Sequence, residues 1–166
     1  GAPLTARFVG PSAVTVAANG DVLVADGTSI RRIVRSGNAA ASVETLTGGA
    51  NATALAVRGN TLTFRNANGL LRQIDLTSAA VTTLAGSPVL GAGFVDGAAP
   101  SARLQGAGGV TLAPDGGFML AEYRSLRQVS AAGVLHTLAS GFARAMAPGG
   151  TGVLAQMPFA SLASEG

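Results

Sequence analysis

Short runs in which apolar and polar residues alternate dominate the chain. Residues 12–26, SAVTVAANGDVLVAD, place two such runs on either side of Asn19-Gly20, the pattern of a β-hairpin with a tight turn. It returns in residues 109–122, GVTLAPDGGFMLAE, around Asp115-Gly116, and in residues 144–156, RAMAPGGTGVLAQ, around Gly149-Gly150. A degenerate copy, ALAVRGNTLTFRN at 54–66, turns at Gly59-Asn60. No stretch keeps a helical period over about 11 residues or more, so the pattern predicts strands throughout.

Each of the hairpins at 12–26, 54–66 and 109–122 is followed by a third short segment with a shared core: Ile30-Arg31-Arg32-Ile33, Leu71-Arg72-Gln73-Ile74 and Leu126-Arg127-Gln128-Val129. A fourth segment comes next, as Val43-Glu44-Thr45-Leu46, Val81-Thr82-Thr83-Leu84 and Leu135-His136-Thr137-Leu138. The matched arginines 31, 72 and 127 are 41 and then 55 positions apart, and the longer interval holds the Gly-rich insert SPVLGAGFVDGAAP at 87–100. Four strands in about 40 residues is the period of a β-propeller blade.

Residues 83–141 resemble an NHL repeat. They show a Thr-Leu-Ala-Gly outer strand, a Gly-Phe-x-Asp-Gly loop, Ala-Arg-hydrophobic, a Gly-Val strand, an Asp-Gly turn and a Leu-Arg third strand. Residues 6–49 are similar to the same repeat. Segment 51–86 matches less well, because Arg65-Asn66 stands where the family tends to carry an acidic residue, and residues 142–157 match only the first two strands. The expected fold is all-β: a β-propeller segment of about three and a half four-stranded blades, with units near 6–49, 51–86, 101–141 and a partial unit at 142–166.

A closed propeller needs at least about four blades, and the resemblance implies a ring of six. The 166 residues are therefore expected to form less than a ring, leaving apolar blade faces for further blades, a second chain or a protein partner to cover. Two chains of about three and a half blades would together supply about seven.

Composition removes several function classes. There is no Cys, one His and no Trp, which excludes a disulfide scaffold, a thiol nucleophile and a Cys-based zinc site, and argues against a lectin that stacks sugars. The pI of 11.0 overstates the basic character. All basic side chains are Arg and the net charge is only +3, so a small excess carries the pI upward. The arginines are scattered, without interleaved aromatics, which argues against nucleic acid as a partner. No apolar stretch approaches the roughly 18 residues of a membrane helix. The all-Arg, Ala- and Gly-rich usage fits a bacterial coding bias, and the expected location is periplasmic or secreted.

Catalytic chemistry finds little support. Ser-His-Asp catalysis would rest on His136, which aligns with Glu44 and Thr82 in an exposed outer strand. The acidic residues Asp21, Asp26, Asp96, Asp115 and Glu122 are dispersed near turns and strand ends, where calcium would need several converging oxygens. The insert LGAGFVDGAAP lacks a GxxxxGK[ST] pattern and opens no helix, so it reads as an inter-blade loop with Phe94 packed between blades and Gly93 and Gly97 at positive φ. No catalytic residue, metal or cofactor is expected.

Two recurrences remain. Asp26 precedes Arg31 by five positions and Glu122 precedes Arg127 by five, the spacing of a carboxylate–guanidinium staple between second and third strands; Asn66 and Arg72 would keep a neutral version. Tyr123 beside Arg124 is the exposed aromatic–Arg pair of a candidate interaction face. These features favour a non-catalytic module for protein–protein interaction or assembly. The alternative is part of a lactonase- or lyase-type propeller enzyme with its catalytic residues outside this chain.

Overall fold

The computed structural model describes residues 5–99, 101–106 and 108–140. The expected half-blade at 142–166 lies outside the described residues. Within them the chain is all-β, a partial β-propeller whose blades are antiparallel sheets joined in sequence order. The first blade comprises β1 (Pro11–Val16), β2 (Val22–Asp26), β3 (Ser29–Ser36) and β4 (Ala39–Thr47). The second comprises β5 (Ala52–Arg58), β6 (Thr61–Asn66), β7 (Leu71–Asp75) and β8 (Val81–Ala85). The third contains β10 (Val110–Leu112), β11 (Phe118–Glu122), β12 (Ser125–Val129) and β13 (Val134–Ser140). It gains a fifth, edge strand, β9 (Gly97–Ala98), from the Gly-rich insert, which runs antiparallel to β13.

The hairpins form where their turn residues allow. Gly20 and Gly116 sit at φ 89° and 91°, a conformation that L side chains rarely adopt, and each closes the link between a first and second strand. Alternation along the strands then sends successive side chains to opposite faces of a blade. On one face Leu62, Phe64 and Ile74 of the second blade pack with Leu23, Ala25 and Ile30 of the first. On the other face Leu71 and Ala85 pack with Phe118, Leu120, Val129 and Leu135 of the third. Each blade therefore has an upstream face, toward the blade before it, and a downstream face.

Register identifies the matching positions. Val14 pairs with Val24 and Val16 with Val22 in the first blade, as Leu55 pairs with Phe64 and Val57 with Leu62 in the second, and Val110 with Leu120 and Leu112 with Phe118 in the third. These are the upstream-face positions. In the second and third blades they join the two cores, whereas Val14 and Val16 are 66% and 57% exposed.

Candidate functional site

The most elaborate polar site lies where the second and third blades meet. Arg65 and Arg127 are both fully buried. Arg65 leaves the downstream face of β6 and reaches the Glu122 carboxylate at 3.1 Å, while its guanidinium also donates to the carbonyls of Gln105, Gly106 and Ala121. Glu122 accepts a second ion pair from Arg127 at 3.3 Å, so one carboxylate sits between two guanidiniums. Burial pulls the Arg65 pKa below its usual value, and Glu122 offsets part of that pull. The many carbonyl acceptors are what make two buried cations tolerable, because a guanidinium needs acceptors for its five N–H groups.

Arg127 also organises the insert. It donates to the carbonyls of Arg103 and Val95 at 2.8 and 3.0 Å, pairs with Asp96 at 2.6 Å, and carries the Phe94 ring 4.6 Å from its guanidinium carbon. Asp96 is held further by Thr137, whose backbone N–H and hydroxyl donate to it at 2.9 and 3.0 Å. Burial alone would raise the Asp96 pKa; the bonds from Arg127 and Thr137 outweigh it and hold the carboxyl below the usual range. Phe94 is thus not tucked between blades but is 46% exposed as the cover of a cation. Gly97 does lie at positive φ, 131°, but Gly93 does not; there a Cβ would come within 2.6 Å of the Arg103 side chain.

The matching residues of the other blades are used differently. The Asp26–Arg31 staple expected from the repeat is not formed. Asp26 Oδ1 instead accepts the backbone N–H groups of Val9 and Gly10 at 2.7 Å each, tying the preceding linker to β2. One methylene shorter than Glu122, it serves this local clamp, while Arg31 lies over the Phe8 ring at 5.8 Å. Asn66 likewise closes its own turn by accepting from Leu70 N at 2.9 Å, and Arg72 lies over Phe64 at 5.9 Å. Tyr123 and Arg124 form the tip of the β11–β12 hairpin, with Tyr123 82% exposed and the Arg124 guanidinium carbon 5.8 Å from its ring. His136 is exposed on β13.

Asp21 and Asp115 are also occupied by the fold. Asp21 takes the Arg32 guanidinium at 2.5 Å and accepts from Arg35 N and Asn19; burial would raise its pKa, and these bonds together lower it. Asp115 accepts from Gly117 N and from the Gln128 amide. Among the described residues no group of three His, Cys, Asp or Glu is placed to hold a metal ion. A cavity of about 170 Å³ lies between the β1–β2 and β5–β6 turns, lined by Leu23 and Leu76 with Asn19, Arg32 and Asn60. It is below the roughly 300 Å³ of an ordinary small-molecule site.

Arg65 was the residue that the repeat pattern treated as a defect. Its signal was there: a charged residue in the middle of an alternating strand, at a position that is Ala25 and Ala121 in the sister blades, marks a buried partner elsewhere.

Comparison with known proteins agrees on architecture. No family model matches the sequence, and no curated protein sequence matches it. Among solved structures, the chain is similar to virginiamycin B lyase from Staphylococcus aureus, with a TM-score of 0.54 at 18% identity, covering 76% of this chain and 40% of that one. It is also similar to the extracellular domain of BT4673 from B. thetaiotaomicron, with a TM-score of 0.50 at 13% identity, covering 78% of this chain and 16% of that one. A third is PorZ, a bacterial surface component of the type-IX secretion system of Porphyromonas gingivalis, with a TM-score of 0.51 at 13% identity, covering 80% and 16%. The chain thus spans between 16% and 40% of the length of these structures. At such identities the likeness establishes the fold, and the fold is a partial β-propeller.

Proposed function

We propose that the chain is an NHL-like β-propeller module that works through protein–protein interaction or assembly, its ring completed by further blades or by a second chain. The observation that carries this reading is the upstream face of the first blade. Val14 and Val16 are exposed at register positions whose counterparts, Leu55, Val57, Val110 and Leu112, pack against a neighbouring blade. Paired β-branched residues on a blade face are suited to an interface, and repeat stacks place them where the next unit docks. The carboxylates and guanidiniums of the best-built polar site are turned onto each other and onto backbone carbonyls, which supports a scaffolding role. Likeness to an extracellular domain and to a surface component supports an extracytoplasmic location.

Size exclusion with light scattering tests this. The wild-type chain should run above the mass of one chain, and Val14→Asp with Val16→Asp should return it to that of a monomer without lowering its melting temperature. A wild-type chain that remains a stable monomer and binds no hydrophobic dye would overturn the reading. A melting temperature raised by divalent ions would favour a lactonase- or lyase-type enzyme instead.

A further inference from the structure

The repeat contains its own comparison for a carboxylate-binding corner. In the third blade the β12–β13 register shifts between Leu126, opposite Ala139, and Arg127, opposite Thr137. At that irregularity the Thr137 N–H leaves the ladder and donates to Asp96 Oδ2, while the Thr137 hydroxyl and Arg127 Nη2 both bind Oδ1. The second blade has the same shift, with Leu71 opposite Ala85 and Arg72 opposite Thr83. Its acceptor is different. Thr83 is exposed, and Arg72 makes no ion pair among the described residues.

The cause is the length of the linker. Ahead of the third blade, the segment between β8 and β10 is long enough to fold back and deliver Asp96; ahead of the second, only Gly48–Asn51 separate Thr47 from Ala52. That short linker has no acid. Asn66 also replaces the acidic residue found at positions 26 and 122, so no carboxylate of the blade itself neutralises Arg72. The Arg31–Thr45 corner of the first blade has the same shift, but the linker ahead of it already sets Phe8 over Arg31 at 5.8 Å, as Phe94 covers Arg127.

We propose that the Arg72–Thr83 corner binds an acidic peptide of another polypeptide: an aspartate or glutamate in an extended segment, with an apolar residue two positions earlier. The template is Phe94-x-Asp96, in which the acid binds guanidinium and threonine while the ring covers the cation. Arg recognises carboxylates by paired charge-assisted bonds, and the bulged threonine supplies two more donors. The site lies on the second blade, between described blades on both sides. A chain that remained monomeric, bound no hydrophobic dye and still bound such a peptide would overturn ring completion and leave this inference standing.

The probe is a fluorescent peptide with the sequence GAGFVDGAA, that of residues 91–99, titrated against the intact chain by anisotropy. Binding should be saturable, and a peptide with Asn in place of the acid should bind roughly tenfold more weakly or worse, the loss expected for a charge-assisted bond. Arg72→Gln should weaken the acidic peptide equally, whereas Arg31→Gln should leave it unchanged. Should Arg72→Gln fail to fold, Thr83→Val at the exposed position should weaken binding several-fold. No binding to the wild type, equal binding of the Asn peptide, transfer of the loss to Arg31→Gln, or unchanged binding by whichever Arg72 or Thr83 variant folds would each overturn the proposal.

Discussion

Leu23, Ala25 and Ile30 meet Leu62, Phe64 and Ile74 as an apolar layer between the first and second blades, whereas the next joint adds to its own apolar layer a buried charged bridge, Arg65 to Glu122 to Arg127. The same repeat therefore joins its blades with and without buried charge. An apolar layer accepts any neighbour of suitable shape. The charged joint does not: Arg65 set against a blade without Glu122 and the carbonyls of Gln105, Gly106 and Ala121 would be a buried cation with no acceptors. Desolvating three charges gains little stability over a hydrophobic layer, but it restricts which blade can follow the second.

The largest effect should come from breaking the charged joint. Glu122→Leu leaves Arg65 without its carboxylate and removes one of the two from Arg127, and should cost about 3–5 kcal/mol, against about 1 kcal/mol for Ile74→Val in the apolar layer. Urea unfolding of the two variants measures the contrast. Adding Arg65→Met to Glu122→Leu should recover much of the loss, since it replaces a stranded charge with a side chain of similar volume. Equal costs for Glu122→Leu and Ile74→Val would show that the joints do not differ as their chemistry implies.

What could be read from the chain follows the same division. The hairpins around Asn19-Gly20, Gly59-Asn60 and Asp115-Gly116 depend on period-2 alternation and on local turn residues, so they are visible in a few consecutive positions. The blade count rests on recurrence of those local patterns. The polar site does not: Arg65 meets Glu122 across 57 positions and Asp96 meets Thr137 across 41, and only the stacking of blades decides which faces confront one another. The five-residue spacing was satisfied equally by Asp26–Arg31 and Glu122–Arg127, but only the longer carboxylate makes the bridge, because Asp26 is closer to the amides of Val9 and Gly10. Spacing gives the candidates, and side-chain length with the neighbouring linker chooses between them.

A smaller effect separates the loop-anchoring part of the charged joint from its core. Because Asp96 has a folded pKa below its unfolded value, its contribution is present above about pH 4 and is lost as the pH falls through the folded value. Asp96→Asn should therefore destabilise the chain at neutral pH, and its difference from wild type should vanish on acidification. The neutral-pH loss should be about 1 kcal/mol, modest because the Asp96 side chain is 45% exposed and solvent screens the pair. Urea midpoints across the acid range provide the test, and a difference that persisted at low pH would mean that the asparagine acts through packing.

The smallest effect should come one residue beyond the network. Glu122, the last residue of β11, is buried, while Tyr123 in the turn that follows is exposed, so neighbouring positions belong to opposite regimes. Tyr123→Ser loses an exposed ring whose contact with Arg124 is worth about 0.5–1 kcal/mol at most, part of it returned as side-chain freedom. Its melting temperature should hardly move, while Glu122→Leu shifts it by many degrees. If Tyr123 serves a protein partner, its replacement should weaken that complex at unchanged stability, a separation that a structural residue cannot produce. A clear loss of stability in Tyr123→Ser would instead place the tip inside a packed interface, extending the charged joint's intolerance of substitution to a surface that the three blades leave open.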